Sequence, residues 1–85
     1  MAKIEIYTKI TCPFCHAAKD LLAKKGADFH EVDINKQPDQ RDTMIARAGG
    51  MATVPQIFID GTHVGGCDEL YALESKGGLD VMLAG

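Results

Sequence analysis

The feature that most limits what this chain can become is a change of hydrophobic period near its start. Residues 3–8 place the β-branched Ile4 and Ile6 at alternate positions with Tyr7 among polar neighbours, a period of two that belongs to a strand. After a short polar loop, Pro13 stands where helices accept proline, at the first position. Phe14, Ala17, Ala18, Leu21 and Leu22 then recur at helical spacing until Lys24, Lys25 and Gly26. Residues 29–34 return to a strand pattern through Phe29, Val32 and Ile34. Strand, helix and strand in this succession form a βαβ unit, which demands parallel strands and a right-handed crossover.

The remainder adds strands that must run the other way. The turn-forming run Asn35-Lys36-Gln37-Pro38 leads into a second helix that Pro38 is expected to open, with Met44, Ile45 and Ala48 facing inward and Gly49-Gly50 ending it. Gln56-Ile57-Phe58-Ile59 and Thr62-His63-Val64 flank Asp60-Gly61, a pair that tolerates the positive φ of a type I′ turn, so they predict an antiparallel hairpin. Gly65-Gly66 releases the chain into a third helix that starts at Cys67-Asp68-Glu69, buries Leu70 and Leu73, and closes at Lys76 and Gly77-Gly78. A last turn or short helix is expected over residues 80–83. The order βαβαββα predicts an α/β fold, a four-stranded mixed sheet flanked by helices, as one domain over residues 1–85.

Composition narrows the function. A chain of 85 residues with net charge -3 and pI near 5.4 carries its Lys and Arg scattered, without the basic footprint that a nucleic acid requires. No apolar run approaches the ~18 residues of a membrane span, because Ile57-Phe58-Ile59 stops at Asp60-Gly61. Three cysteines are an odd number for a disulfide framework, and no secretory leader precedes them, so the expected setting is the reducing cytoplasm.

Cys12-Pro13-Phe14-Cys15 lies between a strand and the start of a helix inside the βαβ unit, the context in which C-x-x-C signals redox chemistry. At a helix N-terminus Cys12 faces unpaired N–H groups and the positive end of the dipole, which favour thiolate over thiol; Lys9 adds a nearby cation. Cys12 is the expected nucleophile, and Cys15, one turn inward, the expected resolving thiol. Two bland alternatives are weaker. A zinc site needs four ligands, and Cys67, His16, His30 and His63 offer no second paired spacing. A structural disulfide closing so short a ring restricts the unfolded chain little.

With Tyr7-Thr8-Lys9, Thr53-Val54-Pro55, Gln56-Ile57-Phe58-Ile59-Asp60 and Gly65-Gly66-Cys67-Asp68-Glu69-Leu70 in order around that pair, the chain resembles the small dithiol glutaredoxins of bacteria over nearly its whole length. The resemblance implies a thioredoxin-like fold, a cis Val54-Pro55 bond, glutathione as co-substrate with no metal, and reduction of protein disulfides and glutathionylated proteins. It also implies that glutathione is held by Lys9, Phe14, Arg41, Thr53, Val54, Pro55, Gly66, Cys67 and Asp68. Each has a matching task. The backbone of Val54 pairs with the cysteinyl part of the tripeptide. The N–H groups of Cys67 and Asp68 take the γ-glutamyl carboxylate, and the Asp68 carboxylate takes the α-ammonium. Gly66 permits close approach, and Lys9 and Arg41 attract the glycyl carboxylate. Two departures stand out: Phe14 replaces the tyrosine of many relatives, and Gly49-Gly50-Met51-Ala52 lacks an arginine often present there.

Other residues read as bland. His16, His30 and His63 are expected at the surface, Cys67 as a partly buried small hydrophobe or a second oxidation site, and Met51 as a loop residue. A monomeric enzyme is expected. The rival readings are a thioredoxin-like reductant fed by a reductase, and a module that binds an iron–sulfur cluster between two subunits with the help of glutathione.

Overall fold

In the computed structural model, which describes residues 2–84, the first period-two segment forms β1 (Ile4–Thr8) and the proline after the polar loop begins α1 (Pro13–Lys24). Pro13 sits at the first helical position, where its missing N–H leaves no intrahelical bond unmade. Gly26, at φ 67°, ends the helix: its N–H reaches the Ala23 carbonyl and that of Ala27 reaches Leu22, each at 3.0 Å, a Schellman closure. The chain continues through β2 (His30–Asp33), α2 (Gln40–Arg47), β3 (Gln56–Ile59), β4 (Thr62–Gly65), α3 (Cys67–Ser75) and α4 (Gly78–Ala84).

The strands form one four-stranded sheet in the order β2-β1-β3-β4. β1 and β2 are parallel, with Glu5 opposite His30, while β1 and β3 run antiparallel with Ile6 opposite Ile57. The expected hairpin joins β3 to β4, and its turn residues Asp60 and Gly61 have φ of 50° and 81°. Strand alternation divides the core. Ile4, Ile6, Ile57 and Ile59 pack on one face against Ala18, Leu21 and Leu22 of α1, Leu70 of α3 and Leu79 of α4. Tyr7, Val32 and Phe58 cover the other face with Met44 of α2 and Ala48, the residue that caps its end. The active-site end is where β1 hands over to α1.

Several boundaries differ from expectation, β1 and β4 by a single residue and others for a physical reason. β2 begins at His30; Phe29 precedes it and packs against the first core. Pro38 does not open α2. Asp33 draws the following residues into a turn, its carbonyl accepting from Lys36 and Gln37 at 3.1 and 2.9 Å and its carboxylate from Asn35 at 2.8 Å. The carbonyl of Pro38 then accepts from Arg41 at 3.2 Å, so the proline lies in the lead-in turn and the helix proper starts at Gln40. α4 extends beyond residues 80–83 on both sides because fully buried Leu79 anchors its first turn.

Candidate active site

Cys12 is the N-cap of α1, in extended backbone at φ -97° and ψ 108°. Its Sγ accepts the N–H of Cys15 at 3.1 Å, the bond that a capping serine would accept through oxygen. A donor aimed at sulfur from a helix N-terminus suits a thiolate. Cys15 is fully buried beneath it, and that burial, with the adjacent Cys12 sulfur, pushes its thiol up to about 12. Cys15 therefore keeps its proton at neutral pH.

The second wall is the turn before β3. Val54-Pro55 is cis, as the resemblance implied, and the Cys12 thiol points at the Val54 carbonyl, 3.6 Å away. Among the described residues nothing accepts the Val54 N–H. The third wall is the start of α3. Gly66 is its N-cap and donates its N–H to Glu69 Oε1 at 2.7 Å, so the N–H groups of Cys67 and Asp68 are left as first-turn donors with no acceptor inside the helix. Cys67 is buried, and burial first, then the charge of Asp68, raises its thiol above the ordinary range.

Phe14, Val54, Pro55, Cys67, Asp68 and Glu69 line one shallow groove of ≈130 Å³ beside Cys12. A larger groove of ≈340 Å³, along β4, α3 and α4, contains no cysteine. Gly66 lies behind the smaller groove, where a Cβ would stand 3.3 Å from the Pro55 carbonyl, so the backbone approach its glycine permits is to the protein itself. Thr53 sits just outside, exposed, its hydroxyl accepting from Gln56 Nε2 at 3.2 Å. Lys9 and Arg41 do not line the groove. Lys9 is half-buried and its carbonyl accepts the Cys12 N–H at 3.1 Å, whereas Arg41 is exposed on α2. Among the described residues neither forms an ion pair.

Sequence reasoning overlooked two things here. Ile10 is 66% exposed, and Phe14, which its spacing places on the apolar stripe of α1, is instead 62% exposed at the start of that helix, so the two leave an apolar rim on either side of Cys12. His63, expected at the surface, is instead half-buried, stacked on Phe58 and bonded to Gln56 Oε1 at 2.6 Å. A polar Gln56 inside an otherwise apolar strand was the available clue.

The Glutaredoxin family model matches residues 4–64, a stretch containing the cysteine pair and the Val54-Pro55 turn. This chain belongs to the glutaredoxin family. It is 58% identical over 83 residues to glutaredoxin 3 of Escherichia coli K12, covering 98% of this chain and 99% of that protein. The solution structure of glutaredoxin from Brucella melitensis superposes with a TM-score of 0.84 at 53% identity, over 98% of this chain and 89% of that one. The crystal structure of the buckwheat glutaredoxin–glutathione complex reaches 0.89 at 28% identity, over 98% of this chain and 77% of that one. The sheet and helices are thus the thioredoxin-like fold of glutaredoxins. With its Cys12/Cys15 dithiol, the chain is a glutathione-dependent thiol-disulfide oxidoreductase.

Proposed function

We propose that Cys12 is the nucleophile, Cys15 the resolving thiol, and the groove between Val54 and α3 the seat of glutathione. The observation that carries the assignment is the asymmetry of the pair: Cys12 sulfur receives a backbone N–H and faces the Val54 carbonyl, whose residue lines the groove, whereas Cys15 is buried and holds its proton. The Cys12 thiolate attacks a glutathionylated protein thiol at the glutathione sulfur. The old S–S bond breaks, the protein leaves as a thiolate that takes up a proton, and Cys12 carries glutathione. A second glutathione thiolate then attacks that adduct, releasing Cys12 and oxidised glutathione. With a protein disulfide, Cys15 loses its proton to the departing thiolate as it attacks Cys12 sulfur, closing the Cys12–Cys15 disulfide that two glutathione molecules reduce.

Glutathione fits the donors present. The free Val54 N–H pairs with its cysteinyl backbone, the N–H groups of Cys67 and Asp68 take the γ-glutamyl carboxylate, and Asp68 takes the ammonium. That buckwheat glutaredoxin forms a complex with glutathione supports glutathione as the ligand. Lys9 and Arg41 act from outside the groove as steering charges for the glycyl end. Protein substrates rest on exposed Ile10 and Phe14. We assign a monomer, because the exchange cycle uses Cys12, Cys15 and glutathione and asks nothing of a second copy, and exchange by free thiols suits a reducing cytoplasm. No helix among the described residues is long and apolar enough to cross a membrane. The dithiol cycle itself requires no metal.

The test is asymmetric. Cys15→Ser retains turnover of a small glutathione mixed disulfide, because glutathione alone resolves that adduct, and Cys12→Ser abolishes it. Equal loss in both variants would refute the assignment of roles.

A further inference from the structure

Behind the groove runs a chain of contacts that the thiol chemistry does not use. Gln56 is fully buried on β3 among apolar neighbours, a position where an amide is costly unless both its ends are bonded. Its Nε2 donates to Thr53 Oγ1 at 3.2 Å, and its Oε1 accepts from His63 Nε2 at 2.6 Å. With the amide in that orientation, the imidazole carries its proton on Nε2. The ring cannot turn freely. It stacks on Phe58 at 5.0 Å and 27°, and Phe58 also holds the Arg47 guanidinium at 4.1 Å and meets Tyr7 edge-on at 5.8 Å. Arg47 is in turn clamped by both Glu5 oxygens at 3.0 Å and by the Tyr7 hydroxyl at 2.9 Å.

We propose that His63 is a positioning residue for glutathione: through the Gln56 amide it holds Thr53, and so orients the Val54 backbone groups to which the tripeptide pairs. This rests on glutathione docking along Val54 as proposed above. His63 lines the larger groove along β4 and α3 but not the smaller one proposed for glutathione, and it bonds to neither sulfur; what it controls is the geometry of the docking turn, and hence binding of glutathione more than the exchange step. A wall of the site that lacks secondary structure of its own is thereby tied to the rigid sheet and, through Arg47, to α2.

The experiment measures KM and kcat for glutathione with a small mixed disulfide. His63→Phe keeps a ring on Phe58 but removes the donor. KM is expected to rise about fivefold with kcat within about twofold, the effect of one net hydrogen bond. KM does not depend on the fraction of folded enzyme, so partial unfolding cannot imitate this. His63→Gln, whose amide N–H reaches the place of Nε2, restores most of the loss. In Thr53→Val the chain is already cut, so adding His63→Phe raises KM no further. Asp68→Asn, which weakens the ammonium contact directly, checks the docking itself. If Asp68→Asn raises KM while His63→Phe does not, or if His63→Phe is fully additive with Thr53→Val, the role of His63 is overturned. If neither Asp68→Asn nor His63→Phe moves KM, the docking site falls and the role of His63 with it.

Discussion

At Cys12 the chain puts a thiol where helices ordinarily carry a serine or aspartate, and the same hydrogen bond that caps α1 falls on the reacting sulfur. Three residues on, a second cysteine is fully buried, and its thiol is pushed up to about 12. Brief treatment of the reduced, native protein with iodoacetamide near neutral pH should therefore place one label on Cys12. Cys15 and Cys67 should react only after denaturation, and peptide mass mapping reads the outcome. Early labelling of Cys15 would contradict its burial. The cysteine pair was legible because its meaning depends on local spacing and on the strand and helix beside it. Gln56 and His63 were not, since their contact crosses a hairpin whose register shifts between Ile57 and Phe58, and no sequence periodicity reports such a shift.

Among the elements, the junction of β4 with α3 has the least freedom. Gly65 adopts φ 117°, a conformation that strains any side chain, and a Cβ there would stand 2.8 Å from Glu69 Oε1, the oxygen that caps Gly66. Gly65→Ala thus adds backbone strain to loss of the cap, and is expected to lower stability by about 2–3 kcal/mol in a urea melt. Gly49→Ala is the comparison: at φ 65° with nothing near its Cβ, it meets backbone strain alone, about 1 kcal/mol. Equal losses would mean that the Glu69 cap contributes nothing. The elements themselves were legible from periodicity, with the Asp60-Gly61 turn and the start of α1 placed by residues whose backbone preferences are strong. Pro38 misled because proline fits a turn as readily as a first helical position, and the pull of Asp33 on Asn35, Lys36 and Gln37 decided between them.

Across the whole molecule, ionisable groups join the layers, and their shifts bound the pH range over which the fold is most stable. Arg47 holds the Glu5 carboxyl below its ordinary value by hydrogen bonding, and the Thr8 hydroxyl, then Lys19, do the same for Glu31. Carboxyls depressed in the folded state contribute stability that is present above 4.5 and lost as pH falls through their folded values. Cys15 and Cys67 act in the other direction. Both are raised in the folded state, so their contribution is intact below 9.0 and is lost as pH climbs toward the folded values, about 12 for Cys15. Lys25, raised by its bonds to Glu74 and Asp80, links the end of α1 to α3 and α4 and extends the loss beyond 10.5. Urea melts of the reduced protein from about pH 3 to about pH 11 should show a plateau bounded by two falling limbs. The alkaline limb begins above 9.0 and steepens by at most about 1.4 kcal/mol per pH unit for the Cys15 proton, so Cys15→Ala makes that limb shallower. Arg47→Met, which releases Glu5, flattens the acid limb and lowers the plateau as α2 loses its clamp on Tyr7 and Phe58. An acid limb unchanged by Arg47→Met would show that the Glu5–Arg47 pair does not set the acid boundary, leaving it to Glu31.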